Sequence, residues 1–171
     1  MEVLTAFEKT ENLKLHGNLQ ILSPDSFAVS FEWQDPEAEI QFAKSPEAGR
    51  HFNLWQQTCF ELFIRPDQTG PYFEINVSPK GAWNVYQFQD YRAPQPPKEF
   101  PGAELLELEM KQNRLTANFH LKGTNLSNCQ VSLCAVLFLS DGRSSYWSTR
   151  HAGRKPDFHH PDSFVVERKF K

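Results

Sequence analysis

The sequence predicts an all-β protein, a jelly-roll-like antiparallel β-sandwich, on three observations. Apolar and polar residues alternate with a period of two through several separate runs, clusters of turn-forming residues divide those runs, and no long segment repeats its apolar residues at helical spacing between caps. Aromatic residues make up 13% of the chain, a share that favours pleated, half-buried strands.

The runs follow in order. Phe27, Val29, Phe31 and Trp33 alternate with Ala28, Ser30 and Glu32, the pattern of a strand with one buried face. Phe60, Leu62 and Ile64 alternate with Cys59, Glu61 and Phe63, and Phe73, Ile75 and Val77 alternate with Tyr72, Glu74 and Asn76. Leu106, Leu108 and Met110 alternate with Glu107 and Glu109, and Leu115, Ala117, Phe119 and Leu121 follow a turn at Gln112-Asn113. Val131 to Leu139 is apolar on both faces, which predicts a central strand covered from both sides. Turns are expected at Pro66 to Gly70, at Ser78 to Gly81 and at Asp141-Gly142. Strands at this spacing argue for a sandwich or jelly roll, and 171 residues suit one domain, 1–171, with a continuous core.

Two stretches break the rhythm, 34–53 and 89–102. The second carries Pro94, Pro96, Pro97 and Pro101 and cannot pair as a central strand. Loops of this length are functional, disordered or plain insertions; both flank the most polar strands, where they would wall a site.

Charge and length exclude several classes. The net charge is -3, and Arg168, Lys169 and Lys171 read as an ordinary solvated end, so no nucleic-acid partner is expected. No run approaches the ~18 apolar residues of a membrane helix. Met1 to His16 has neither a basic n-region nor an apolar h-region, so the expected compartment is the cytoplasm. Cys59, Cys129 and Cys134 are odd in number and form no CxxC, which fits buried reduced thiols.

The chemistry concentrates between Trp55 and Arg92. A hairpin through the turn at 66–70 places Asn76 beside Glu61 and Glu74 beside Phe63; the next turn places Asn84 beside Asn76 and Tyr86 beside Glu74. One face then collects Phe60, Leu62, Ile64, Phe73, Ile75, Val77 and Val85, with Trp83 on the same side. The other collects Glu61, Tyr72, Glu74, Asn76, Asn84 and Tyr86, with no Lys or Arg before Arg65. Rings stack on the apolar face of a pyranose and fixed polar groups engage its hydroxyls, so this mixture suits a sugar; cross-strand hydrogen bonding would produce the same pattern. A second group, His151, Asp157, His159 and His160, matches no metal-ligand spacing, and no metal is expected there.

Three blocks, LWQQTCFELFI (54–64), YFEINVSPKGAWNVYQFQDYR (72–92) and SYWSTRHAGRKPDFHHPDSF (145–164), resemble bacterial DOMON-like domain proteins related to the family 9 carbohydrate-binding modules. The resemblance implies a non-catalytic binder of a carbohydrate or sugar-like small ligand. Trp55, Trp147 and Tyr86 would stack on it, Glu61, Glu74, Asn76 and Arg92 would hydrogen-bond it, and His151, Asp157 and His159 would form a rim. Trp55 lies six residues before Glu61, as in that family, and Arg92 ends QDYR where a family arginine falls. Family 9 modules also carry structural calcium, but no loop here is rich enough in Asp for it.

Other readings remain open. Glu61 and Glu74 would serve an enzyme acting on a glycoside as an acid/base pair, although no further catalytic motif accompanies them. Other DOMON domains bind haem through Met and His, and Met110 with His120 is the available pair, without a signature. No cofactor is expected. Exposed Trp and Tyr would serve a protein-interaction domain equally. Structurally, Trp55 would be core and Glu61 a partner of Arg92 or Arg65.

Overall fold

A computed structural model describes residues 1–42, 46–66 and 70–170. The strands in them are β1 (Glu2–Ala6), β2 (Lys14–Ser23), β3 (Ser26–Gln34), β4 (Gly49–Arg50), β5 (Cys59–Arg65), β6 (Tyr72–Val77), β7 (Ala82–Phe88), β8 (Lys98–Glu99), β9 (Ala103–Lys111), β10 (Arg114–Leu121), β11 (Asn128–Phe138), β12 (Ser144–Ser148) and β13 (Val166–Lys169). Two single 3₁₀ turns, Leu54–Gln56 and Pro161–Ser163, are the helical segments among the described residues. No helix there is long and apolar enough to cross a membrane.

Hydrogen-bonded neighbours follow the order β4-β7-β6-β5-β11-β12-β1-β2-β3-β10-β9, with β13 beside β11 and β8 beside β7. The path doubles back at β1: Glu2 to Leu4 pair with β2, whereas Thr5 and Ala6 pair with β12. That single strand joins two layers, β1-β2-β3-β10-β9 and β4-β7-β6-β5-β11-β12. The pairings are antiparallel except β4 with β7, which is parallel. The expected all-β sandwich is therefore the observed one.

The layers meet through aromatic rings. Phe60 stacks on Phe31 at 5.0 Å and on Trp33 at 5.1 Å, and Trp83 meets Phe119 edge-on at 5.7 Å. One continuous apolar cluster fills the space between them, including the inward residues expected of β5, β6 and β7. β11 is buried on both faces, as the unbroken apolar run predicts. At Gly17 the layers approach closely: a Cβ there would stand 3.2 Å from Leu133 Cδ1. The turn at 78–81 closes on Gly81, at φ +88°, whose N–H donates to the Ser78 carbonyl at 3.0 Å. In the turn at 66–70, residues 67–69 lie outside the described residues.

Two expectations need correcting. In β9 the apolar alternation slips, because the ladder with β10 shifts register between Asn118 and Phe119 and leaves Leu106 over. Leu105 and Leu108 pack on the core instead, and Leu106 and Met110 are exposed. The polar face of β5, β6 and β7 is not an open surface: Glu61, Tyr72, Glu74, Asn76, Asn84 and Tyr86 are all at most 4% exposed. The segment 149–164 covers part of this face, and its Phe158 and Phe164 form a second apolar cluster with Phe63, Tyr72, Tyr86, Phe88, Cys134 and Val136.

Candidate functional site

The expected register of the polar strands is the observed one. Glu61 pairs with Asn76, Glu74 with both Phe63 and Tyr86, and Asn76 also with Asn84. Alternation in β5 and β6 turns Glu61, Phe63 and Glu74 outward, beneath the covering segment. A cavity of about 350 Å³ remains between them and their cover. Glu61 and Glu74 line it together with Trp55, Arg92, Tyr146, Phe158 and His159. The volume lies within the ordinary range of small-molecule sites.

Each polar group is held from behind. Asn76 Nδ2 donates to Glu74 Oε1 at 2.8 Å. The Arg92 N–H donates to the Tyr72 hydroxyl at 3.2 Å, which leaves that hydroxyl to donate to His159 Nδ1 at 2.8 Å. His159 Nε2–H then faces Glu74 Oε2 at 3.5 Å. The assignment agrees with the electrostatics: burial pushes Tyr72 up to about 12, and burial, reinforced by Arg92, lowers His159 to about 4, so the phenol keeps its proton and the imidazole is neutral. Edge-on contacts of His159 with Phe63 and Phe88, both at 4.9 Å, fix the ring.

The two carboxyls differ in support. Burial raises Glu74 to about 7, against the lowering effects of Asn76 and Arg92. Burial raises Glu61 well above its usual range, and the neighbouring Glu74 charge adds to this. Glu61 Oε1 has no hydrogen-bond partner among the described residues. Neither arginine expected as its partner takes that role. Arg92 Nη2 pairs with Asp157 Oδ1 at 2.8 Å, and the Arg65 guanidinium lies 4.0 Å over the Phe164 ring and donates to the Pro161 carbonyl. A buried carboxyl oxygen with an open valence is a costly arrangement unless something else meets it.

The expected site residues divide accordingly. Trp55, Glu61, Glu74, Arg92 and His159 are brought together at the cavity. Asn76, Tyr86 and Asp157 stand behind it: Asn76 holds Glu74, the Tyr86 ring abuts Trp55 edge-on at 5.7 Å, and Asp157 also accepts from the Tyr91 hydroxyl at 2.7 Å. Trp147 and His151 do not join them. Trp147 points into the sandwich core at 3% exposure, because β12 turns alternate residues to opposite layers and directs Tyr146 to the cavity instead. His151 Nε2 donates to the Thr5 carbonyl at 2.8 Å, and the ring packs on Phe7.

Of the two long loops, 89–102 supplies Arg92, Gln95 and Pro97 to the cavity wall. The described part of 34–53 acts from a distance: Arg50 donates to Asn84 Oδ1 at 2.9 Å and to the Phe100 carbonyl at 2.6 Å, which ties the loops together. His160 accepts from the Asp162 N–H, as the cap of the last 3₁₀ turn. Among the described residues no three His, Cys, Asp or Glu side chains converge as metal ligands. Met110 and His120 sit apart, opposite Leu115 and Glu104 respectively, and His120 Nδ1 contacts Ser26 Oγ at 3.1 Å.

No protein-family profile and no curated protein matches this sequence. The fold is similar to the crystal structure of a protein from Bacteroides uniformis provisionally named as carbohydrate-binding, with a TM-score of 0.62, 10% identity, and 95% of this chain and 84% of that one covered. At that identity the likeness is one of fold alone.

Proposed function

We propose that the chain binds a carbohydrate or sugar-like small ligand in the cavity above β5 and β6 without transforming it. One observation carries the reading: apolar rings and convergent polar groups line the same recess of about 350 Å³. Trp55, Tyr146 and Phe158 offer rings for a pyranose, and Glu61, Glu74 and Arg92 offer acceptors and donors for its hydroxyls. The B. uniformis protein and the resemblance to family 9 modules point to the same class of ligand.

The test is thermal stabilisation by a panel of monosaccharides, disaccharides and sugar nucleotides. A ligand at ~100 times its dissociation constant adds about 2.7 kcal/mol, a shift of several degrees. The expected result is a shift with one sugar class that Trp55→Ala and Glu61→Gln both abolish while remaining folded. A well-folded protein that no sugar stabilises sinks the proposal.

The raised Glu61 and Glu74 favour a second reading, an acid/base pair in glycoside hydrolysis. They are diagonal neighbours on adjacent strands, whose Cα atoms sheet geometry sets roughly 7–8 Å apart. Both therefore rise from one floor instead of flanking a bond from two sides, which is why binding is preferred. Release of nitrophenol from aryl glycosides, lost in both Glu61→Gln and Glu74→Gln, would establish turnover.

A further inference from the structure

We propose that the cavity selects a sugar carrying a free, protonated amine, with the ammonium group seated between Glu61 and Glu74; this deepens the sugar-binding reading and rests on it. Three independent features converge on a cation. Glu61 is 2% exposed and lines the cavity, and its Oε1 has no hydrogen-bond partner among the described residues. Glu74 has both oxygens engaged, by Asn76 at 2.8 Å and by the neutral His159 at 3.5 Å, and neither contact brings a positive charge. The one guanidinium on the wall, Arg92, is already matched by Asp157 at 2.8 Å. With both glutamates ionised the site therefore carries two negative charges in excess.

A neutral hydroxyl would satisfy the Glu61 oxygen but leave that charge uncompensated in a poorly solvated recess. An ammonium supplies three donors together with the missing charge. The remaining walls suit the same group, since the faces of Trp55, Tyr146 and Phe158 attract a cation through their quadrupoles. Arg92 is left to meet the ring hydroxyls. An N-acetylated amine loses both the charge and two donors, so it is discriminated against by the same geometry.

Binding of the cation is coupled to ionisation of the pair. The other titratable groups around it are His159, Tyr72, Tyr86, Tyr146, Arg92, Asp157 and the thiols of Cys59 and Cys134. His159 falls to about 4, the phenols of Tyr72 and Tyr86 rise to about 12, burial raises both thiols, and Arg92 and Asp157 remain an ion pair, so the protein's change on the approach to pH 7 belongs to the carboxyls, Glu74 at about 7 and Glu61 raised by burial.

The experiment is calorimetric titration of the full chain with glucosamine, galactosamine and mannosamine, with their N-acetyl forms, with the parent neutral hexoses, and with cyclohexylamine. The expected result is at least about tenfold tighter binding of one free amino sugar than of its neutral and acetylated counterparts. That affinity rises from pH 5 to 7, a range in which the amine of the sugar keeps its proton, and Glu61→Gln removes the preference. A neutral or acetylated sugar that binds as well as the amino sugar overturns the inference and leaves the sugar reading standing. Cyclohexylamine binding with no sugar binding overturns the sugar reading and, with it, the amino sugar as ligand. No binding by any of them overturns both. The ranking on the unmodified protein decides the matter even if the Glu61 variant fails to fold.

Discussion

A carboxyl with its acidity moved by burial leaves a mark on stability as well as on binding. Glu74 is raised to about 7 in the folded chain, so it contributes its stability fully below pH 4.5 and loses it as the pH climbs towards 7. His159, lowered to about 4, works in the opposite sense: its contribution is intact above pH 6.5 and falls away as the pH drops towards 4. A single melting curve mixes these two with Glu61, which burial raises in the same sense as Glu74. Comparing the protein with Glu74→Gln removes the histidine's contribution, which is common to both, and reads the Glu74 shift together with its coupling to Glu61. The stability advantage of the variant should grow by about 3 kcal/mol between pH 4.5 and pH 8, measured by urea unfolding; a difference that stays flat with pH would show that Glu74 titrates normally. At the same scale, the neighbours Tyr146 and Trp147 part company. Trp147→Ala should cost about 3–5 kcal/mol through the cavity it leaves in the core. Tyr146→Ala, at a position 37% exposed, should cost under about 1 kcal/mol and weaken ligand binding instead. In the run Ser144-Ser145-Tyr146-Trp147-Ser148 both rings are plausible on either side, and the pattern carries no sign of which face is the core.

Among the elements, β5, β6 and β7 were the most legible. Their alternation is unbroken on both sides of a short connection, which leaves one register that keeps Phe60, Leu62 and Ile64 with Phe73, Ile75 and Val77. Cover over the outer face was not legible, because a strand reads the same whether water or another segment lies above its polar residues. The segment 149–164 has no regular strand or long helix to announce itself; it is held by Phe158 and Phe164 and by side-chain hydrogen bonds around Asp157 and Ser163. β9 misled for a different reason, since a bulge changes the phase of an alternation without altering its composition. The cover can be tested through the thiol beneath it. Cys134 is fully buried in the same cluster as Phe158, and burial pushes its thiol up. It should not react with a thiol reagent in the native protein, whereas Phe158→Ala should cost about 3 kcal/mol and make Cys134 react while the protein remains folded. Unchanged protection in that variant would mean the segment is not held by Phe158.

At the level of the whole molecule, the spacing of the two layers depends on a residue without a side chain. Leu133 and Leu4 would stand 3.2 and 3.3 Å from a Cβ at position 17. Gly17→Ala should therefore cost about 1–3 kcal/mol, read as a lower midpoint in denaturant with an unchanged slope; a neutral substitution would show that the layers have room to part. The overall class followed from the sequence because period-two patterning recurs so often. The closure of the two layers did not, because one five-residue strand makes it and no run of that length declares which two partners it serves. That closure has a consequence in time. Thr5 lies beside Ser148, 143 positions further along the chain. At ribosomal rates of ~5–20 residues per second, roughly 7 to 30 seconds separate the synthesis of the two. β1 is thus held by β2 alone until β12 has emerged, and closure of the two layers must wait on one of the longest-range contacts of the fold.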